Sequence, residues 1–293
     1  MKKILVIGSI AIDNVVYTAN SAKPGMTVYG DYFLSNIGGK GANQAAAIHF
    51  LNGDVDFYGA TGNDDNGSRI KQFLNSIGLK SHLKISDKNT GIASITINTK
   101  TAENSIIIVP GANMDITKDD IDKINFSVYS FLLLQLENPV DAVCYAIKKA
   151  KKSGLTVILN PAPYHELPLE VYPYIDFFIP NEHELEDFTK DISGDLKDRV
   201  SKLLQSGIKR VIVTLGEKGS YYQDKEQSFM FEPYKVNAVD TTGAGDSFCG
   251  AFVTALSLDK SIKEAMDFAS KASSLTVTKK GAIASLPHLE DIK

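Results

Sequence analysis

The segment Asp240-Thr241-Thr242-Gly243-Ala244-Gly245-Asp246-Ser247-Phe248 gathers the residue types a group-transfer site needs. Small residues before an apolar helix, here carrying Phe248, Ala251, Phe252 and Ala255, let backbone N–H groups converge on an anion, and the helix dipole adds to the attraction. Asp246 beside them could accept a proton from an attacking hydroxyl while the amides hold phosphoryl oxygens. No GK[ST] follows the glycines, so the loop is not a Walker A motif. The same residues would also make a plain glycine-rich turn with Asp246 capping the helix, and the segment alone leaves both readings open.

In Gly38-Gly39-Lys40-Gly41-Ala42-Asn43-Gln44-Ala45, glycines open an Ala-rich helix running to about Leu51 and place Lys40 and Asn43 in a backbone that a ligand can approach closely. The alternative is a tight turn with a solvated lysine. Pro180-Asn181-Glu182-His183-Glu184 follows an apolar strand, where α/β folds bind ligands. Glu184 could hold Mg²⁺ through water, or Asn181 could simply cap a helix with acids in its first turn. Glu137 and Asp13 are acids at strand ends, where sugar hydroxyls could be gripped, and Thr214-Leu215-Gly216-Glu217-Lys218-Gly219 could wrap a nucleotide.

Other chemistries find no pattern. His165-Glu166 and His183-Glu184 lack the second histidine of HExxH, because Leu169 and Asp187 stand there. There is no G-x-S-x-G for a serine hydrolase. Gly8-Ser9-Ile10-Ala11-Ile12-Asp13 has one glycine where a dinucleotide dehydrogenase needs three.

The elements that must position these residues read as alternating strands and helices. Short apolar runs at 3–8, 55–59, 130–136, 156–160, 175–179 and 210–215 read as strands buried on both faces of a parallel sheet. Ile70, Phe73, Leu74 and Ile77 share one helical face, with Gly78 as the stop. Val140, Val143, Cys144 and Ile147 repeat that spacing, with Asn138 as N-cap, Pro139 in the first turn and Gly154 beyond the end. Ser261 and Glu264 form a capping box before a long helix. This order predicts an α/β fold, a doubly wound, mostly parallel sheet flanked by helices. Two stretches, about 13–36 and 91–109, are rich in strand formers with no helix pattern between them, and 96–109 reads as a hairpin. They predict a small β-sheet projecting from one domain spanning 1–293, as a lid or dimer clasp.

Composition sets the bounds. Of 293 residues, 43% are apolar and 23% charged, as in ordinary globular proteins. Lys plus Arg is 31 against 35 Asp plus Glu, a net charge of −4, which disfavours nucleic acid or an anionic membrane as partner. Two cysteines, Cys144 and Cys249, argue against a disulfide scaffold and point to the reducing cytoplasm. Met1-Lys2-Lys3 and the apolar run to Ile12 imitate a signal peptide. Gly8 and Ser9 interrupt the run, Asp13 and Asn14 follow it, and no A-x-A site appears, so a first strand is the better reading. No apolar run reaches the roughly 18 residues of a membrane span.

Together the motifs resemble the PfkB/ribokinase family of carbohydrate kinases over essentially the whole chain. The carriers are Gly8-Ser9-Ile10 with Asp13, Gly38 to Ala45, Leu134-Gln135-Leu136-Glu137, Asn160-Pro161-Ala162-Pro163, Pro180 to Glu184, Thr214-Leu215-Gly216, Asp240 to Asp246 and Lys280-Gly281-Ala282. The resemblance implies a ribokinase-like fold with a β-sheet lid, and transfer of the γ-phosphate of ATP to a pentose hydroxyl, with D-ribose giving ribose 5-phosphate. It implies Asp246 as base, Gly243, Ala244 and Gly245 as anion hole, and Asp13, Gly39, Lys40, Gly41, Ala42, Asn43 and Glu137 as sugar contacts. Asn181 and Thr214, Leu215, Gly216, Glu217, Lys218 and Gly219 match nucleotide contacts. Glu184 matches the magnesium-linked position, and Asp240, Thr242, Thr276, Lys279, Gly281 and Ser285 match positions holding an activating K⁺. A homodimer clasped through the lid is implied as well. One position departs from the pattern: Ala11 stands where an asparagine usually meets a ribose hydroxyl, which opens 2-deoxyribose, another sugar or a nucleoside as substrates. A sugar- or nucleotide-binding protein without catalysis is the reading from another class.

Overall fold

The structure, a computed structural model, describes residues 1–101 and 103–292. The chain forms β1 (Ile4–Ile7), then β2 (Ala11–Thr18) and β3 (Tyr32–Gly38), and returns through α1 (Lys40–Phe50). β4 (Val55–Gly62), α2 (Asp65–Ser76) and β5 (Ser81–Ser86) follow, then β6 (Gly91–Asn98) and β7 (Asn104–Val109). The second half runs α3 (Lys118–Asp122), β8 (Phe131–Leu134), α4 (Val140–Lys152), β9 (Thr156–Leu159), β10 (Phe177–Phe178), α5 (Glu182–Phe188), α6 (Leu196–Gln205) and β11 (Val211–Thr214). It closes with β12 (Ser220–Gln223), β13 (Ser228–Phe231), α7 (Ala244–Ser257) and α8 (Ile262–Thr276).

The large sheet has the order β13-β12-β11-β10-β9-β8-β1-β4-β5. It is parallel from β11 through β5, and the β12–β13 hairpin adds two antiparallel strands at one edge. The apolar runs of the sequence are its central strands. In β1, Ile4 and Val6 face one core and Leu5 and Ile7 the other, so all four are buried. The first core takes the alanines of α1 and the faces of α7 and α8; the second takes α4 and α6. α1 and α7 approach so closely that a Cβ on Gly250 would lie 2.6 Å from the Ala47 Cβ.

β2, β3, β6 and β7 form a separate sheet in the order β3-β2-β6-β7, from the two stretches without helical spacing. It begins at Ala11 and its first half ends at Gly38, two residues wider at each side than 13–36. Ala102, in the turn of the expected hairpin, lies outside the described residues. At the sheet's root one side chain grips both backbone groups of Ile10. Asn113 donates from Nδ2 to the Ile10 carbonyl at 2.8 Å and accepts the Ile10 N–H on Oδ1 at 3.0 Å. Asn138 in turn donates to the Asn113 carbonyl at 2.9 Å. This corrects the expected helix cap: α4 is N-capped by Pro139 without a side-chain bond, because the contact to Asn113 orients the Asn138 amide, whose Oδ1 meets no hydrogen-bond partner among the described residues. The capping box of Ser261 and Glu264 on α8 forms as expected.

The amino ends of the strands are closed by ion pairs. Asp56 takes Lys3 and Lys80, each at 2.9 Å, and Asp176 takes Lys151 at 2.7 Å and Lys209 at 2.8 Å. The carboxyl ends open onto a cleft. Among the described residues no helix is long and apolar enough to cross a membrane.

Candidate active site

Ser9, Glu137, Asn160, Asn181 and Thr214 sit at or just past the carboxyl ends of β1, β8, β9, β10 and β11. Two helix N-termini face them, each entered through a glycine that only a positive φ fits: Gly39 (φ 91°) before α1 and Gly243 (φ 77°) before α7. Between them lies a cleft of about 190 Å³ whose walls include Lys40, Asn181, Glu184, Gly243, Gly245 and Asp246. Segments scattered from 39 to 246 in sequence thus share one surface.

Asp246 is in the first turn of α7 and only 6% exposed. It does not cap the helix. Its Oδ2 accepts from Asn43 Nδ2 at 2.8 Å and its Oδ1 from Gln44 Nε2 at 2.9 Å, both across from α1. The Ala244 N–H is donated to the Thr241 carbonyl at 3.2 Å, while the Gly245 and Asp246 amides, in the first turn, have no intrahelical acceptor. A Cβ built on Gly245 would meet nothing within 4 Å and its φ is ordinary, so the fold itself does not demand glycine there.

On the sugar side of the expected site, Glu137 Oε2 accepts the Lys40 N–H at 2.9 Å and the Ser9 hydroxyl, which places a carboxylate at the positive end of α1. Asp13 pairs across β2 and β3 with Asn36, and its carboxylate lies over Gly38, where a Cβ would be 2.0 Å away. Burial pushes the Asp13 carboxyl up to about 6, and the charges of Glu137 and Asp246 push the same way. Burial would lower the Lys40 ammonium, but Asp246, Glu137 and Glu184 outweigh it and hold it above the usual lysine value. Burial likewise raises Glu184, against the Asn181 N–H and Lys40, which favour its ionised form. One lysine therefore faces an excess of carboxylates.

Asn181 and Glu184 form a reciprocal capping box on α5, at 2.8 and 2.9 Å, and both still line the cleft. The helix-cap reading of that motif and a place in the cleft hold together. Thr214 lines the cleft too, whereas Gly216, Glu217 and Lys218 form an exposed turn and are not among its walls. Leu215 and Ala42 point their side chains into the cores, and Gly41 packs backbone to backbone on Gly8, leaving these three only main-chain atoms to offer. Ser9, Gln44, Gln135 and Asn160 join the site although no role was assigned to them from sequence. All four lie inside motif stretches, and that position was the available signal.

The residues suit the cations that such chemistry uses. Glu184 has one carboxylate oxygen committed to the capping box, and no three His, Cys, Asp or Glu among the described residues converge as a metal cage. The other carboxylate oxygen leaves Glu184 able to hold Mg²⁺, which is bound by few carboxylates together with waters and phosphate. Asp240 bridges two loops, accepting the Thr242 N–H and the Gly281 N–H, each at 2.9 Å. Although burial opposes it, those bonds keep the Asp240 carboxyl below its ordinary value. The hydroxyls of Thr276 and Ser285 are buried and donate within the protein, to Ser247 or Ala272 and to Ala282, which leaves their oxygens lone pairs to offer. An oxygen-only set with one carboxylate suits a hard cation rather than a soft, thiolate-seeking one.

Residues 1–289 match the family model described as pfkB family carbohydrate kinase. The ribokinase of Staphylococcus aureus is 38% identical over 99% of this chain and 98% of its own. The deoxyribokinase of Salmonella typhimurium is 36% identical over 98% and 96%. The solved structure of Arabidopsis thaliana ribokinase complexed with ribose and ATP superposes with a TM-score of 0.91 at 33% identity, covering 99% of this chain and 97% of that one.

Proposed function

The chain belongs to the pfkB family of carbohydrate kinases, and on that premise we propose that it phosphorylates D-ribose to ribose 5-phosphate with Asp246 as general base. It is an ATP-dependent sugar kinase, with the ribokinase-like fold of its structural neighbours. The observation that carries the finer reading is Asp246 itself, a buried carboxylate held by two amide donors beside free first-turn amides in a cleft. In the reaction the sugar hydroxyl oxygen bonds the γ-phosphorus as the bond to the ADP oxygen breaks, and the hydroxyl proton passes to Asp246. Asp13, Glu137, Lys40 and Asn43 orient the sugar, with Gly39, Gly41 and Ala42 contributing backbone. Asn181 and the 214–219 turn hold the nucleotide. Magnesium beside Glu184 would neutralise phosphate charge, and potassium between Asp240, Thr242, Thr276, Lys279, Gly281 and Ser285 would order the loop before α7. The small sheet serves as a lid that excludes water.

On the edge strand β7, Ile106 and Ile108 are exposed on one side and Ile107 and Val109 on the other, and this apolar edge supports a homodimer through the sheet. Sedimentation that finds only a 31.9 kDa species at working concentration would remove the dimer.

The anion hole is Gly243, Ala244 and Gly245, and Gly245→Ala isolates it. Alanine favours the helix by about 1 kcal/mol, so the melting temperature holds or rises. The added methyl stands where the phosphoryl group would lie, and kcat/KM for ATP falls by about 10²-fold. Normal kcat/KM would move the anion elsewhere.

A second reading is favoured by Ala11, which sits at the lid's root paired with Gly38 and Gly91, with no side-chain donor or acceptor. A 2-deoxyribose substrate would need none there, and one relative is a deoxyribokinase. ADP release from Mg-ATP, with and without K⁺, is the test across ribose, 2-deoxyribose, fructose and ribonucleosides. Ribose turnover supports the first reading. Preference for 2-deoxyribose, reversed toward ribose by Ala11→Asn, supports the second. Silence with ligand still binding would leave a protein that does not catalyse.

A further inference from the structure

Gln44 and Gln135 are both fully buried, although neither belongs to a core by its chemistry. Their amides, with Asn160, form a chain whose direction is set by two acceptors, the Ile179 carbonyl and the Asp246 carboxylate. The Ile179 carbonyl can only accept, and Asn160 Nδ2 donates to it at 2.8 Å, so Asn160 presents its oxygen to Gln44. Gln44 Nε2 donates to that oxygen at 3.0 Å and to Asp246 Oδ1 at 2.9 Å. Its Oε1 then faces away and receives Gln135 Nε2. Turning any of these amides over would set N–H against N–H or oxygen against oxygen. Gln135 is wedged against Gly8, where a Cβ would lie 2.1 Å from its Oε1. That Oε1 has no hydrogen-bond partner among the described residues, so the amide at 135 is not there to satisfy itself; its donor serves Gln44. A buried polar atom left unpaired costs about 1–3 kcal/mol, which an apolar side chain of similar length would avoid.

We propose that Gln44 and Gln135 are positioning residues that aim the Asp246 carboxylate and seal its buried edge, so that the proton taken from the sugar hydroxyl leaves only through the cleft. The inference rests on Asp246 being the base. The buried edge offers Asp246 only amide N–H groups, from Asn43 and Gln44, and these accept no proton. Ionisable groups face Asp246 from every packed element: Lys40 on α1, Asp13 on β2, Glu184 on α5 and Cys249 on α7. Among the described residues none of them hydrogen-bonds to it, so the amides alone set its orientation.

The test is Gln44→Met, which keeps length and removes the donors, and Gln135→Met, which leaves both direct partners of Asp246 in place. Both are measured with the best sugar of the panel across pH, alongside Asp246→Asn. Losing a hydrogen bond to a charged group lowers kcat for Gln44→Met by about tenfold or more and moves the acidic limb of kcat up by about one pH unit or more. The KM values for sugar and ATP stay unchanged. Gln135→Met moves both readouts the same way by less, and decides the matter if Gln44→Met does not fold. A purely structural role would lower the melting temperature and leave the limb where it was, and that result would overturn the proposal. If Asp246→Asn retains turnover, the base assignment fails and the inference with it. If Asp246→Asn is dead while both methionine variants keep the wild-type kcat and acidic limb, the base stands and the positioning role falls.

Discussion

Asp246→Asn keeps the fold and loses at least about a hundredfold in kcat, the low end of what a positioned general base contributes. The side chains have the same shape, and the residue sits in a first turn, not in a core. What changes is proton affinity: a carboxamide takes no proton from the attacking hydroxyl. There is a structural consequence as well. Asn43 and Gln44 both donate toward position 246, and asparagine can accept on one side only. One donor then faces another, so the melting temperature drops modestly, by the equivalent of about 1–3 kcal/mol. Steady-state kinetics with circular dichroism separate the effects. Near-normal turnover in the folded variant would remove Asp246 as base.

Asp13→Asn moves stability and activity in opposite directions. An ordinary aspartate titrates near about 3.9, whereas burial, with help from Glu137 and Asp246, lifts Asp13 to about 6. Between those values the native state holds the proton and the unfolded chain does not. Stability from this group therefore falls as pH rises through that window, and its destabilisation is complete above about 6. The substituted carboxamide carries no charge to bury, so the variant melts higher than wild type at neutral pH, and the difference vanishes near about pH 4. The sugar loses a charged acceptor, worth a rise in KM of about 10- to 150-fold. In the wild type, KM for sugar should climb as pH falls through about 6, because protonation removes that same acceptor. A variant that melts lower at neutral pH, or a pH-independent KM, would show that Asp13 does neither job.

What could be read from the chain follows from where each element's surroundings lie. The central strands announce themselves because both faces are buried and their residues are uniformly apolar, as in Ile4–Ile7 and Phe131–Leu134. β5, β12 and β13 do not: β5 and β13 are edge strands that meet solvent and mix polar residues into Ser-His-Leu-Lys-Ile-Ser and Ser-Phe-Met-Phe. β12, though buried, carries Ser220 and Gln223 at its ends and so lacks a continuous apolar run. The small sheet was legible through the absence of helical spacing. The site motifs were legible by spacing, and Lys40, Glu184 and Asp246 from three of them line one cleft. Gln44, Gln135 and Asn138 were not, because an amide on a helix or at a strand end looks like a solvated side chain, and only the packed tertiary structure reveals its burial. Asn138 illustrates the same limit from the other side: a good local cap was overridden by a distant carbonyl.

The Asn113 amide, gripping both backbone groups of Ile10, makes a narrow waist between the two sheets. Beyond that waist β7 is exposed along its whole length, while β1 is buried on both sides. The molecule should accordingly breathe in two parts. In the monomer, amide protons of β7 and the outer half of β6 would exchange with deuterium through local opening that leaves the parallel sheet intact, and those of β1 and β8 only through global unfolding. Asn113→Ala would widen that gap by loosening the waist, which places the control of the smaller sheet's motion in a residue that touches neither substrate.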